Sequence, residues 1–264
     1  MTRSDYQTIL YSVEKNILSI TLNRPEKRNA FNEQMVKELN AIFLEFRERT
    51  DIIGVSVTGA GESFCAGADL SYLQSLGSKS FEENYDDSNN LKEMYWNIFS
   101  FPKPTIGLIN GPAVAGGCGL VTALDIAITS KNAIFGYPEV KIGFVASIVS
   151  VFLIRSIGLA QAKQLLYTGE LIDSVQAEKI GLVNKIVDKE NLDRAAEEFF
   201  SQIRKNSPQA LTQTKSLLIG FQEDMIKSEL EYACRMNAES RQKEDFKEGL
   251  KSFLEKRKPI WSKI

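Results

Sequence analysis

Apolar and polar residues alternate near the start of the chain. Leu18, Ile20 and Leu22 are interleaved with Ser19 and Thr21, and residues 6–13 have the composition of a strand. With Glu14-Lys15-Asn16 between them, these stretches predict a β-hairpin. The period then changes. After a turn over residues 23–30, Asn32 caps a helix whose Met35, Leu39, Ile42, Phe43 and Phe46 fall on one face. Ile53, Val55 and Val57 return to period two in a strand that ends at Gly59-Ala-Gly61. Residues 77–90 are rich in Ser, Asp and Asn, which predicts a loop or lid. Leu91, Met94, Tyr95, Ile98 and Phe99 then make a helical stripe closed by Pro102-Lys-Pro104, read as core packing with a share in a ligand wall left open.

The second half opens on a short apolar run, residues 105–110, that reads as a buried strand stopping at Asn110-Gly-Pro. Gly116, Gly117 and Gly119 follow, and then an apolar segment, residues 120–124, that reads as a buried helix. Residues 147–157 form an apolar, β-branched run closed by Gly158, and residues 160–168 a short helix closed by Gly169. Residues 174–181 have an N-cap and a C-terminal glycine, and residues 182–187 read as a strand. From Asn191 onward only helices are expected, at about 192–204, 208–220, 222–238 and 243–256. The pattern implies a β/α body over residues 1–190 and an all-helical part over 191–264.

Composition narrows the chemistry. At 264 residues and 43% hydrophobic content the chain can bury one substantial core, and its net charge of −2 gives no basic field for nucleic acid or an anionic membrane. No uninterrupted apolar run approaches a spanning helix, and residues 1–6 have no signal-peptide core behind them, so a cytoplasmic protein is expected. Cys65, Cys118 and Cys234 lack CxxC spacing and are expected to be reduced thiols, with no metal site. There is no histidine. Ser-His-Asp and Cys-His nucleophile systems are therefore excluded, and acid/base work falls to carboxylates.

Two stretches carry candidate chemistry. Glycines at the junction before residues 120–124 would let a ligand approach main-chain N–H groups at a helix start, an arrangement suited to an oxyanion or phosphate. Phe64-Cys-Ala-Gly-Ala-Asp-Leu70 is a second small-residue turn, and Gly67 and Gly116 could each bring one N–H to a shared oxygen. Glu139 lies in Phe135-Gly-Tyr-Pro-Glu-Val-Lys-Ile-Gly143, an apolar setting that disfavours the charged carboxylate and raises its pKa toward the useful range. Ordinary turns, and a glutamate that is solvated or paired with Lys141, are the alternatives. A dinucleotide fingerprint starting at Gly117-Cys-Gly119 fails, because Thr122 stands at the third glycine position.

Taken together, residues 64–70, Asn110-Gly-Pro-Ala-Val-Ala-Gly-Gly-Cys118, Asp125-Ile-Ala, Phe135-Gly-Tyr-Pro-Glu139 and the tail Phe253-Leu-Glu-Lys-Arg-Lys-Pro259 resemble the enoyl-CoA hydratase/isomerase (crotonase) superfamily, from about residue 6 to the C-terminus. The resemblance implies an α/β fold: a spiral of ββα repeats with a C-terminal helical trimerisation region, assembled as a homotrimer or a dimer of trimers. It implies an acyl-CoA thioester substrate and no separate cofactor, coenzyme A being part of the substrate. The thioester oxygen would sit between the N–H groups of Ala68 and Gly116. Lys27 and Arg28 would lie near the CoA phosphates, Ala30 and Ala66 near the adenine, Asp69 and Leu70 beside the ligand, and Lys256 would reach the nucleotide, from a neighbouring subunit if not from its own.

Glu139 matches the glutamate that exchanges a proton with the carbon α to the thioester. The second glutamate of the two-carboxylate hydratases belongs where this chain has Gly119. The context Gly-Gly-Cys-Gly-Leu with Glu-Val-Lys-Ile-Gly-Phe is similar to bacterial methylglutaconyl-CoA hydratases, which also lack it. The expected activity is therefore hydration of a 2-enoyl-CoA, branched acyl groups included, with Glu139 as the main acid/base. A Δ3,Δ2-enoyl-CoA isomerase using Glu139 alone and a non-catalytic acyl-CoA-binding paralogue are the alternatives. Val145-Ala-Ser147 stands where relatives carry a proline, so the start of the next helix and the acyl selectivity are expected to differ.

Overall fold

The computed structural model describes residues 6–262; the first five residues of the N-terminal stretch read for a targeting signal lie outside them. Strands β1 (Ile9–Glu14) and β2 (Ile17–Leu22) form the expected hairpin, with Ile9 opposite Leu22 and the two turn residues Lys15 and Asn16 both at positive φ. The first strand starts three residues later than its composition suggests. Helix α1 (Glu33–Glu45) is capped by Asn32, whose side chain accepts from the Met35 N–H at 2.9 Å. Strand β3 (Gly54–Gly59) then pairs parallel with β2.

The later units repeat this rhythm. Each sends one strand to a six-stranded sheet of order β1-β2-β3-β4-β6-β9, through β4 (Thr105–Ile109), β6 (Ile126–Ser130) and β9 (Lys185–Val187). A second strand goes to a three-stranded sheet of order β5-β7-β8, through β5 (Ala113–Val114), β7 (Ile134–Gly136) and β8 (Leu171–Asp173). The intervening helices are α2 (Leu70–Leu76), α3 (Phe81–Phe99), α4 (Gly116–Ala123), α5 (Ser147–Thr168) and α6 (Ser174–Lys179). This is the spiral of ββα units the resemblance implies. The short second strands went unread in the sequence, since two or three residues carry no period.

Residues 77–90 correct the sequence reading: from Phe81 they are the first half of α3. The polar side chains secure the first two turns of the helix. Ser80 and Glu83 form a reciprocal capping box, and Asn84, fully buried, donates to the carbonyls of Leu76, Lys79 and Ser80. Ser88 is also fully buried, bonded to Asn237 on α9 (Glu223–Ser240) at 3.0 Å. A polar stretch that satisfies itself inside the protein is indistinguishable by composition from one that faces water.

Smaller corrections follow the same logic. The helix after the glycines begins at Gly116 rather than Leu120, and the cap of α6 is Asp173, whose side chain accepts from the Gln176 N–H. Helix α5 is apolar and long enough to cross a membrane by length and composition. Gly158, at φ 76 and ψ 159, breaks it, and Ile148, Val151, Phe152 and Leu153 are buried in the main core. Asp125 links strand and helix: its carboxylate accepts from the Thr105 N–H and from Lys215 of α8 (Pro208–Gly220). Helix α7 (Leu192–Ile203) covers the outer face of the large sheet with Phe200, and α10 (Glu244–Leu254) packs Phe246 and Leu250 against α2.

Candidate active site

Two strand-to-helix turns are held side by side at the cavity. Residues 28–31 run along residues 66–69: the Ala66 N–H donates to the Arg28 carbonyl, Phe31 N–H to Gly67 O at 2.7 Å, and Asp69 N–H to Phe31 O at 2.8 Å. In such a ladder the N–H of the intermediate residue, Ala68, points the other way. It has no acceptor among the described residues. Gly67 sits at φ +86, and a Cβ there would lie 3.3 Å from the Gly116 nitrogen and 2.7 Å from the Ala115 Cβ, so only glycine allows the second turn to approach this closely. Gly116 is the first residue of α4, and its N–H is likewise without an acceptor among the described residues.

Backbone strain and buried hydrogen bonds fix that second turn. Ala115, immediately before Gly116, has φ 54 and ψ −126, a conformation that costs a non-glycine residue about 1–3 kcal/mol. The Ala115 N–H donates to the Gly136 carbonyl at 2.8 Å, and the buried Tyr95 hydroxyl donates to the Gly116 carbonyl at 2.7 Å. Asn110 Nδ2 donates to the carbonyls of Gly59 and Gly61, tying the two turns to one base. The result is a pair of free, preorganised N–H donors, the geometry that stabilises charge developing on a carbonyl oxygen.

Glu139 lies in a single 3-10 turn, Pro138–Ile142, rather than an open loop, and is 7% exposed. Burial pushes its carboxyl up from the usual 4.5 to about 7, partly opposed by a hydrogen bond from its own backbone. No lysine relieves it: Lys141 is exposed and makes no ion pair with it, and Glu139 Oε2 is buried without a hydrogen-bond partner. A carboxyl with an unbonded oxygen and a pKa near neutrality is suited to acid/base chemistry.

All three sit on one cavity of about 1170 Å³. Its wall also contains Lys27, Arg28, Ala30, Ala66, Asp69 and Leu70. Lys27 and Arg28 are exposed at the mouth, on a turn anchored by the buried Asn29, which donates to the carbonyls of Ala60 and Ser63. Asp69 borders the cavity, but its carboxylate caps α2 and pairs with Arg24 at 2.9 Å. Lys256 is not on the wall; within this chain the tail contributes Phe253 instead.

Gly119 has a structural counterpart that the sequence does not advertise. A Cβ at this position would stand 2.2 Å from Val149 Cγ1 and 3.2 Å from the Tyr95 hydroxyl oxygen. The place of a second carboxylate is therefore occupied by the first turn of α5. Tyr95 and Leu91 line the cavity, so the stripe on α3 serves both core and site. Val149 and Arg241 also went unread, because neither belongs to a recognisable motif, and the strain at Ala115 is a backbone property that its residue type does not reveal.

The family model described as enoyl-CoA hydratase/isomerase matches residues 12–263. The chain is 38% identical over 251 residues to a Thermus thermophilus protein bearing the name of an enoyl-CoA hydratase, covering 95% of this chain and 99% of that one. It is 32% identical to the short-chain-enoyl-CoA hydratase of Clostridium acetobutylicum, over 96% of this chain and 97% of the relative. The crystal structure of an enoyl-CoA hydratase/isomerase from Xanthobacter autotrophicus superposes with a TM-score of 0.87 at 29% identity, covering 96% of this chain and 97% of that one.

Proposed function

The chain belongs to the enoyl-CoA hydratase/isomerase family, and from that premise we propose that it adds water reversibly across the double bond of a 2-enoyl-CoA with Glu139 as its only carboxylate acid/base. The observation that carries this reading is the unpartnered Glu139 oxygen, buried on the same cavity as two unpaired N–H groups. The thioester oxygen accepts from Ala68 and Gly116. As a water oxygen bonds to C3, electron density moves to that thioester oxygen, where the two donors hold it in a low-dielectric site; each such donor is worth about 10²–10³ in rate. The ionised Glu139 takes the water's proton and passes it to C2, so one O–H bond and one π bond are exchanged for C–O and C–H bonds and the carboxylate is regenerated. A single group can do both because its pKa lies near the working pH.

Isomerisation of a 3-enoyl-CoA by the same base is the second reading, favoured by the closure of the second carboxylate's place by Val149. A non-catalytic paralogue accounts less well for a carboxylate kept buried at a cost. The Gly-Gly-Cys-Gly-Leu context supports a branched, methylglutaconyl-like acyl group. Coenzyme A arrives with the substrate, its phosphates near Lys27 and Arg28. Assembly into a homotrimer or a dimer of trimers would cover Leu217, Leu218 and Phe221, exposed at 58%, 58% and 71% on and beside α8, and would bring Lys256 to a neighbour's nucleotide. The test is an assay with crotonyl-CoA and 3-methylglutaconyl-CoA, followed by loss of the conjugated absorbance, beside a 3-enoyl-CoA followed by its gain. Loss with a conjugated ester supports the hydratase, and gain with the 3-enoyl ester alone replaces it by the isomerase.

A further inference from the structure

The two N–H groups read as donors to the thioester oxygen are backed differently. Gly116 heads α4, so its N–H carries the positive end of a helix. Ala68 precedes Asp69, the N-cap of α2, and has no helix behind it. What stands behind Ala68 is a series of peptides. In a planar trans peptide the C=O and the next residue's N–H point in opposite directions, so a bond at one end aims the other. Gly67 O accepts from Phe31 N at 2.7 Å, which fixes the direction of the Ala68 N–H in the same peptide. Phe31 N in turn shares its peptide with the Ala30 carbonyl, and that carbonyl accepts from Arg24 Nη1 at 2.5 Å.

Arg24 is held firmly enough to keep this contact. Its N–H donates to Asn29 Oδ1 at 2.9 Å, and its carbonyl accepts from the Lys27 and Asn29 N–H groups. Its Nη2 pairs with Asp69 Oδ2 at 2.9 Å, the two side chains being 14% and 9% exposed. Burial works against the Asp69 charge, but bonds from Arg24 and Ser71 outweigh it and hold the carboxyl below its usual range. Arg24 is absent from the cavity wall, so any effect it has on the chemistry passes through the peptides. A brace between the turn and α2 needs only the prong on Asp69. The second prong lands on the carbonyl that heads the series.

We propose that Arg24 is a positioning residue for the oxyanion donor at Ala68, its cationic N–H polarising the Ala30–Phe31 and Gly67–Ala68 peptides in series so that the last N–H binds negative charge more strongly. This rests on the reading of Ala68 as a donor to the thioester oxygen. Every dipole in the series points the same way, each N–H donating to the next carbonyl, and such chains strengthen cooperatively by about 10–30% per bond. The Asp69 carboxylate meets Nη2, leaving Nη1 to the Ala30 carbonyl. No proton moves along the series; the effect is electrostatic alignment.

Infrared difference spectra of bound butyryl-CoA, isotope-labelled at the thioester carbonyl, read the donors without turnover. In the parent the carbonyl band of the bound ester should lie below that of the free ester. Arg24→Gln combined with Asp69→Asn removes both buried charges together and keeps an N-cap for α2. In this variant the band should return part of the way toward the free position, and the dissociation constant should stay within about threefold. Its kcat should fall about tenfold, less than the loss expected for a deleted donor. A variant that binds the ester with the parent's band and kcat overturns the proposal and leaves Arg24 a brace, whatever its melting temperature. Should the variant fail to fold, replacing Phe31 by its α-hydroxy acid analogue leaves every side chain in place, deletes the Phe31 N–H and weakens the Ala30 carbonyl as an acceptor. The band must again return toward the free position, and an unmoved band overturns the proposal. A parent that binds the ester without displacing its band overturns the oxyanion reading, and absence of binding overturns the cavity reading; either takes the role of Arg24 with it.

Discussion

Replacing Glu139 by glutamine should give a protein that is inactive yet more stable than the parent at alkaline pH. The carboxyl has an unfolded-state pKa near 4.5 and a folded-state value pushed by burial to about 7. Below 4.5 both states hold the proton and the group has no effect on stability. Between the two values the folded chain keeps a proton that the unfolded chain has released, so stability falls as pH rises, by about 1.4 kcal/mol per pH unit. Above 7 the folded chain carries a buried, unpaired charge, and the accumulated loss levels off at about 3 kcal/mol. Glutamine has nearly the same shape, never ionises and escapes that loss. Thermal or urea unfolding of both proteins at equal concentration, at pH 5 and pH 8.5, reads the difference directly. The curves should nearly coincide at pH 5 and separate by up to about 3 kcal/mol in favour of Glu139→Gln at pH 8.5, with turnover lost and affinity for a saturated acyl-CoA retained. Parallel curves, or a variant less stable at pH 8.5, would refute the buried-charge argument; near-normal turnover would refute the acid/base role.

Four further outcomes are expected. If the ionised Glu139 starts hydration, as proposed, kcat/KM for crotonyl-CoA should rise with pH toward 7 and flatten above it, and a flat profile from pH 5.5 to 8.5 contradicts the single-carboxylate scheme. Gly119→Glu alone should destabilise by about 1–3 kcal/mol in a melt, since its Cβ meets Val149 at 2.2 Å, and Val149→Ala in the same chain should recover much of the loss. Gly116→Pro deletes the N–H proposed as an oxyanion donor, at a helix position that tolerates proline, and compared with Gly116→Ala, which adds a Cβ but keeps the N–H, it should lose about 10²–10³ in kcat; equal losses in the two variants would remove Gly116 from the hole. Ala115→Gly relieves a strained φ of 54, and is expected to hold or raise the melting temperature while lowering kcat.

Local rules made part of this molecule legible in its sequence. The hairpin, the Asn32 cap and the helices from Leu192 onward follow from period and end signals that act within a few residues. Glu139 could be singled out because its neighbours in sequence are largely apolar, and burial is the physical cause of its raised pKa. The unread features depend on partners far along the chain. Asn84 and Ser88 look like loop residues until Arg241 and Asn237, about 150 positions later, are packed against them. The free N–H of Ala68 depends on a ladder with Phe31, and residue identity carries no trace of which way an N–H points.

Gly119, Val149 and Glu139 are best understood as one arrangement. Two nearby carboxylates would raise each other's pKa and divide the proton between them, so that acid and base are different groups. Here glycine at 119 lets the first turn of α5 close in, and Val149 makes the wall beside the cavity apolar where a carboxylate would have been. Glu139 is then perturbed chiefly by desolvation, which places it near 7, where protonated and ionised forms are both accessible. A lone carboxylate at 4 would return a proton poorly, and one at 10 would hardly ionise. The missing glutamate therefore leaves no void at position 119: the first turn of α5 fills its place, and burial alone holds the remaining carboxyl near neutrality, as the proposed proton transfer requires.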